Sequence, residues 1–201
     1  MKNKSNRKRQ LNHILKTTED GSNTFYVPEL DEHYHSTFGA IQESTHIFIK
    51  AGLHYCVNQN IPKEINILEI GFGTGLNALL TLLETKKNDL KVLYHTLELY
   101  PVSKKDTEKL NFTRLLSSNN SSETDKSVLF SKLHSSTWGK AVNITPDFTL
   151  LKQNIDFSIP SSFKTYRKYN LVYFDAFAPE KQPEMWTQEI FDTIYSLCKE
   201  R

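Results

Sequence analysis

Residues 65–80 read Ile-Asn-Ile-Leu-Glu-Ile-Gly-Phe-Gly-Thr-Gly-Leu-Asn-Ala-Leu-Leu, and the order of those types decides the fold. The run from Ile65 to Ile70 is short, apolar and rich in β-branched side chains, the composition of a strand buried on both faces. It ends at Gly71, and a helix follows at once from Leu76 to about Glu84, so the unit is strand, glycine loop, helix. Downstream the alternation continues. Residues 92–98 (VLYHTLE) form a second strand ending in an acid, residues 102–116 a helix, residues 148–153 a third strand and residues 170–174 (NLVYF) a fourth. A loop and an amphipathic helix over 186–200 close the series. Strands alternating with helices predict an α/β domain with a parallel sheet wound in the Rossmann manner, whose ligands sit beyond the carboxyl ends of the strands.

Upstream, residues 39–57 place Ile41, Ile47, Phe48, Leu53 and Cys56 at helical spacings, predicting an amphipathic helix over one sheet edge. Residues 24–36 are extended and aromatic, with Pro28 excluding a helix, and read as a small hairpin or arm. Residues 117–127 (SSNNSSETDKS) read as a surface loop. Residues 1–9 concentrate Lys2, Lys4, Arg7, Lys8 and Arg9 without an apolar anchor, so 1–21 is expected to be a basic mobile tail and 22–201 the folded domain.

Composition narrows the classes. With 201 residues, 38% hydrophobic and 24% charged, the chain fits one domain with a real core. Lys and Arg outnumber Asp and Glu by 25 to 23, a net charge of +2, so a polyanionic partner has to be met by a local patch. No apolar run approaches the roughly 18 residues of a membrane span, and the amino end lacks a secretory apolar stretch; the expected location is cytoplasmic, without membrane. Cys56 and Cys198 have no CxxC partner and the seven histidines no HExxH spacing, so no metal is expected.

The strand ends carry the candidate chemistry. The first loop is Glu69-Ile70-Gly71-Phe72-Gly73-Thr74-Gly75, with Leu76 where a dinucleotide fingerprint has its third glycine. Glycines let backbone approach a ligand closely, although such a turn can also serve packing alone. An acid two residues before the first glycine suits S-adenosylmethionine better than NAD, because that ligand has an ammonium group and no pyrophosphate. Glu98 is placed to accept from ribose hydroxyls, or is an exposed strand-end acid; Asp156 is placed to meet an adenine amino group, or is not. Asp175 ends the fourth strand among Ala176, Phe177, Ala178 and Pro179. A carboxylate in an aromatic, water-poor setting suits methyl transfer to an amine, which it can orient and relieve of a proton; the alternative is an Asx-turn.

Residues 172–187 (VYFDAFAPEKQPEMWT), 68–80 (LEIGFGTGLNALL), 34–44 (YHSTFGAIQES) and 46–53 (HIFIKAGL) closely resemble the MnmC/MnmD methyltransferase family, over about residues 22–201. The resemblance implies a Rossmann-like S-adenosylmethionine-dependent methyltransferase fold. It implies methylation of the aminomethyl group of 5-aminomethyl-2-thiouridine at the tRNA wobble position, giving the 5-methylaminomethyl form. Carried over, it makes Asp175 catalytic, puts Glu69, Gly71, Gly73 and Gly75 in the cofactor loop and Glu98 at the ribose, and brings Tyr34, Ser36, Gly39 and Glu43 close to the cofactor. Phe177, Pro179, Lys181, Pro183 and Trp186 match the loop that shapes the nucleoside pocket, Trp186 being equally suited to anchor the last helix in the core. The resemblance also implies the stand-alone form without an FAD domain, and a sheet lacking the family's last strands, with the fourth strand as an edge. The competing expectations are a methyltransferase for another small amine or a protein, and a non-catalytic nucleotide- or RNA-binding fragment.

Overall fold

The computed structural model describes residues 11–58, 63–117 and 123–200. Three short strands come first, β1 (Ile14–Thr17), β2 (Asn23–Val27) and β3 (Glu32–His33), paired antiparallel in that order. One helical stretch follows, made of α1 (Ala40–Ser44), a π-helical segment Thr45–His54 and α2 (Tyr55–Asn58). Next come β4 (Glu64–Ile70), α3 (Leu76–Lys87) and β5 (Lys91–Leu97). Two single turns, α4 (Lys104–Thr107) and α5 (Phe112–Leu115), lead to α6 (Glu123–Ser135). Then β6 (Ala141–Thr145), β7 (Phe148–Gln153), β8 (Leu171–Phe174) and α7 (Gln188–Leu197) follow.

The main sheet has the order β6-β7-β5-β4-β8, with β7, β5, β4 and β8 parallel and β6 antiparallel at one edge. This is the expected α/β architecture, with β8 at the other edge. Successive side chains of a strand point to opposite faces. Ile65 and Ile67 of β4, with Tyr94, Leu150 and Tyr173 of the neighbouring strands, pack against α3 and the π-helical segment. Leu68, Ile70 and Leu97 face the other way, onto Phe157, Phe163, Met185 and Ile190 of α7. The chain leaves β4 through α3 toward β5, whereas β8 lies on the far side of β4. The crevice at the carboxyl ends of β4 and β8 is therefore the switch point at which such sheets bind ligands.

Lys152 is a buried cation in this core, 1% exposed. It lies on the same face of β7 as Leu150, and its Nζ donates to the carbonyls of Leu133 (2.8 Å) and His134 (2.7 Å) near the end of α6. The rings of Phe72 and Trp138 cover it at 5.5 and 4.8 Å. A lysine among apolar neighbours is tolerated because two helix-end carbonyls and two ring faces replace its water.

Three sequence expectations need correction. The folded part begins inside the expected tail, because β1 pairs with β2 from Ile14↔Tyr26 to Thr17↔Asn23; residues 1–10 of that tail lie outside the described residues. Asp20 closes this turn by accepting from Thr18 Oγ1 and Ser22 N, and reaches over to Gln42 N. The helix expected over 102–116 is split, because Asn111 leaves it to accept from Asn23 N and donate to Gly21 O. The loop expected over 117–127 gives way to α6 from residue 123, and β6 was not anticipated. Its one buried side chain is Ile144, so AVNIT carries almost no alternation to read.

Candidate active site

The glycine loop is fixed from two sides. Gly71 has φ +97°, and a Cβ there would lie 2.3 Å from the carbonyl oxygen of Asp175, so only glycine lets β4 and β8 end so close together. Its N–H donates to Leu97 O at 2.9 Å, just as Asp175 N donates to Ile70 O at 2.9 Å. Gly73 has φ +48° and meets the ring of Tyr34, where a Cβ would lie 2.9 Å from Cδ1. Glu98, just past β5, accepts from Gly73 N (2.9 Å) on one oxygen and from Tyr100 N (2.7 Å) on the other. Burial raises the Glu98 carboxyl above its usual range, and those N–H groups work against the rise. Each oxygen keeps a lone pair for a ligand hydroxyl.

Asp175 closes the opposite wall. Its Oδ2 accepts from Asn77 Nδ2 at 2.8 Å, a side chain in the first turn of α3. Burial pushes the carboxyl up to about 7, the Asn77 bond holds it back, and the charges of Glu43 and Glu98 add to the rise. Glu43 is oriented by accepting from Ser36 N at 2.7 Å. Tyr34 stands edge-on to Phe177, with ring centroids 5.3 Å apart. Its hydroxyl meets His13 Nε2 at 3.3 Å, and His13 Nδ1 meets Asp106 at 3.2 Å. Because the Asp106 carboxylate only accepts, His13 Nδ1 carries the proton of that contact. The antiparallel sheet thus pins Tyr34 over the glycine loop.

Between these walls lies a cleft of about 560 Å³, within the range of small-molecule sites. Tyr34, Gly71, Gly73, Glu98, Asp156, Asp175 and Phe177 all line it. Its charged lining is Glu32, Glu43, Glu98, Asp156 and Asp175, and no Lys or Arg is among the lining residues. Such a wall favours a cationic ligand and repels a pyrophosphate. Among the described residues no group of His, Cys, Asp and Glu is arranged to hold a metal ion, and no helix is long and apolar enough to cross a membrane.

A profile of the S-adenosyl-L-methionine-dependent methyltransferases matches residues 140–201. The tRNA 5-methylaminomethyl-2-thiouridine biosynthesis bifunctional protein MnmC of Leptospira interrogans is 28% identical over 183 residues, covering 85% of this chain and 26% of that relative. This chain resembles the methyltransferase domain of MnmC over most of its length. Its cofactor is S-adenosyl-L-methionine. The MnmC-like domain also matches an uncharacterized protein of Methanocaldococcus jannaschii, 24% identical over 91% of this chain and 47% of that one. The crystal structure of MnmC2 from Aquifex aeolicus shares its fold with a TM-score of 0.74, over 97% of this chain and 59% of that chain, at 24% identity. The chain spans about a quarter of the length of the MnmC relative from Leptospira.

The MnmC-like domain does not bring every expected site residue to the cleft. Glu69 is fully buried on the α3 side of the sheet and does not line the cleft. In a parallel strand its side chain points opposite to those of Leu68 and Ile70, into the α3 layer. Gly75 caps α3 and faces α6, where a Cβ would meet His134 Nε2 at 2.8 Å. Pro179 is exposed in the loop after β8. Lys181 pairs with Asp31 at 2.9 Å, tying that loop to the antiparallel sheet. Trp186 donates from Nε1 to Phe177 O at 2.8 Å and packs on Phe174 and Phe191, so it braces the loop from behind. Asp156 lines the cleft while accepting from Ser158 N and Oγ in a tight turn. Asn77 was not anticipated, although one amide among the leucines of LNALLTLL was a readable signal.

Proposed function

We propose that this domain transfers a methyl group from S-adenosyl-L-methionine to the aminomethyl nitrogen of 5-aminomethyl-2-thiouridine at the wobble position of tRNA. The observation that carries this reading is the placement of Asp175. A half-buried carboxyl raised to about 7 stands at the mouth of a cleft whose charged lining is acidic, directly against the glycine loop. The names of the MnmC relatives support the choice of nucleoside.

S-adenosyl-L-methionine supplies an electrophilic methyl group on a sulfonium. In this reading Gly71 and Gly73 give the backbone room for it, Glu98 and Asp156 accept from its sugar and base, and Tyr34 covers it. Phe177 forms a wall for the incoming nucleoside, with Trp186 and Lys181 holding the loop that carries it and Pro179 turning that loop. The amine nitrogen attacks the methyl carbon, forming the N–C bond as the S–C bond breaks with its electron pair going to sulfur. Asp175 orients the amine and accepts the proton that nitrogen sheds. An alkyl ammonium loses its proton near 10, by analogy with lysine, so a carboxyl raised to about 7 is better matched to it than one at 3.8. Glu43, next to Asp175, adds negative charge that favours a cationic or amine substrate. A tRNA substrate places the reaction in the cytoplasm, and its phosphates have to be met outside this acidic cleft, giving salt-sensitive binding.

The test is transfer of labelled methyl to tRNA bearing the 5-aminomethyl group, beside the same tRNA lacking it. Label only in the aminomethyl tRNA is expected. Label on free amines or proteins but not on RNA would replace this substrate by another.

A further inference from the structure

Among the described residues, five buried side-chain polar atoms have no hydrogen-bond partner: both carboxyl oxygens of Glu69, Oδ1 of Asn77, the hydroxyl of Tyr94 and Oγ1 of Thr96. They form one cluster. Thr96 is the register partner of Glu69 across β4 and β5, and Tyr94, Thr96 and Asn77 are the side chains that act on its carboxyl. Buried polar atoms are nearly always paired, so five together call for an assignment of protons.

One assignment pairs all five. Asn77 Nδ2 donates to Asp175 at 2.8 Å, the same side chain acts on the Glu69 carboxyl, and its Oδ1 is buried without a partner. That oxygen can only accept, and an ionised carboxylate can only accept, so the two would face each other unpaired. A carboxylic acid instead donates its one proton to Asn77 Oδ1, and its other oxygen accepts from the hydroxyls of Tyr94 and Thr96. Rotating the Asn77 amide by half a turn would set its oxygen against the Asp175 carboxylate, which is also unfavourable.

We propose that Glu69 is held as a neutral carboxylic acid whose proton fixes the Asn77 amide in the orientation that donates to Asp175. Glu69 is then a positioning residue for methyl transfer and not a ligand of the cofactor's ammonium group. The proposal rests on the reading of Asp175 given above. The groups facing Glu69 agree with it: Tyr94 and Thr96 on β5, Asn77 on α3, Tyr173 on β8 and Asp175 just past it carry no positive charge. Burial accordingly pushes the Glu69 carboxyl from 4.5 up to about 8.

The test compares the full chain with E69Q, which keeps shape and a donor, and E69L, which keeps only bulk. A folded-state value raised above the unfolded one gives stability that is fully present below 4.5 and is lost as pH rises to about 8. The melting temperature of the wild type should therefore fall steadily relative to E69Q across that window and level off above it. A difference that stays flat from about pH 5 to about pH 8 would mean an ionised Glu69 and overturn the proposal. The second readout is the acidic limb of the pH profile of kcat/KM for methyl transfer. E69Q should leave it in place, and E69L should move it upward, because Asp175 loses an oriented Asn77 donor. An ionised Glu69 would give the opposite sign, both variants moving the limb downward by removing a like charge. Absence of methyl transfer in every chain would count against the reading of Asp175, while the melting comparison would still decide the proton on Glu69.

Discussion

The two walls of the cleft are held by different means. On the glycine-loop side, Glu98 binds two backbone N–H groups, Gly71 donates into β5, Tyr34 lies on Gly73, and His13 and Asp106 fix Tyr34 from behind. On the Asp175 side, the backbone bonds of residues 178–186, such as Lys181 N and Gln182 N to Ala178 O, stay within the loop, and side chains tie it to the rest of the fold: Lys181 to Asp31, Phe177 against Tyr34, and Trp186 against Phe174 and Phe191. The difference teaches where tolerance lies. In the proposed function, a small cofactor would meet an over-determined backbone, and a large, variable ligand a loop tied to the fold by side chains. Asp175 belongs to both, since its backbone is locked to β4 and its side chain lines the cleft.

Substitutions can break or sharpen that contrast. The largest effect is expected at Asp175: D175A should lower methyl transfer by about 10²- to 10⁴-fold, the usual worth of a positioned proton acceptor. Its affinity for S-adenosyl-L-methionine, read by calorimetry, should stay within several-fold. G71A comes next, because its Cβ would strike the Asp175 carbonyl. A cost of about 3 kcal/mol in chemical denaturation is expected, together with loss of cofactor binding, as the strain has nowhere to relax. W186F keeps the ring and removes the bond to Phe177 O. It should raise KM for the RNA several-fold, about 1 kcal/mol, with cofactor affinity unchanged. D31A, which frees Lys181, should leave both melting temperature and cofactor affinity where they are; a marked loss of cofactor binding would erase the distinction between the walls.

Much of the glycine-loop side was legible in the sequence, because β-branched runs and clustered glycines report backbone geometry directly. Residues 65–70, the glycine loop, the strands through Val92 and Phe148, and the acid after NLVYF all stand where that reading put them. What was hidden depends on side-chain direction. In a strand apolar on both faces, nothing in the order Leu68-Glu69-Ile70 tells which way the acid points, and the expected cofactor ligand proves to face α3. Lys181 and Trp186 were legible as members of the loop but not as supports behind it. The strand at Ile14–Thr17 was hidden for another reason: all four of its side chains are exposed, so backbone pairing alone defines it.

The most direct test of the central claim is the pH dependence of kcat/KM for labelled methyl transfer to tRNA bearing the 5-aminomethyl group. With Asp175 as the proton acceptor, activity should climb through about pH 7 as its carboxyl ionises. A rate that rises only as the amine itself titrates, near 10 by analogy with lysine, and shows no inflection around 7, would contradict the assignment of that proton to Asp175.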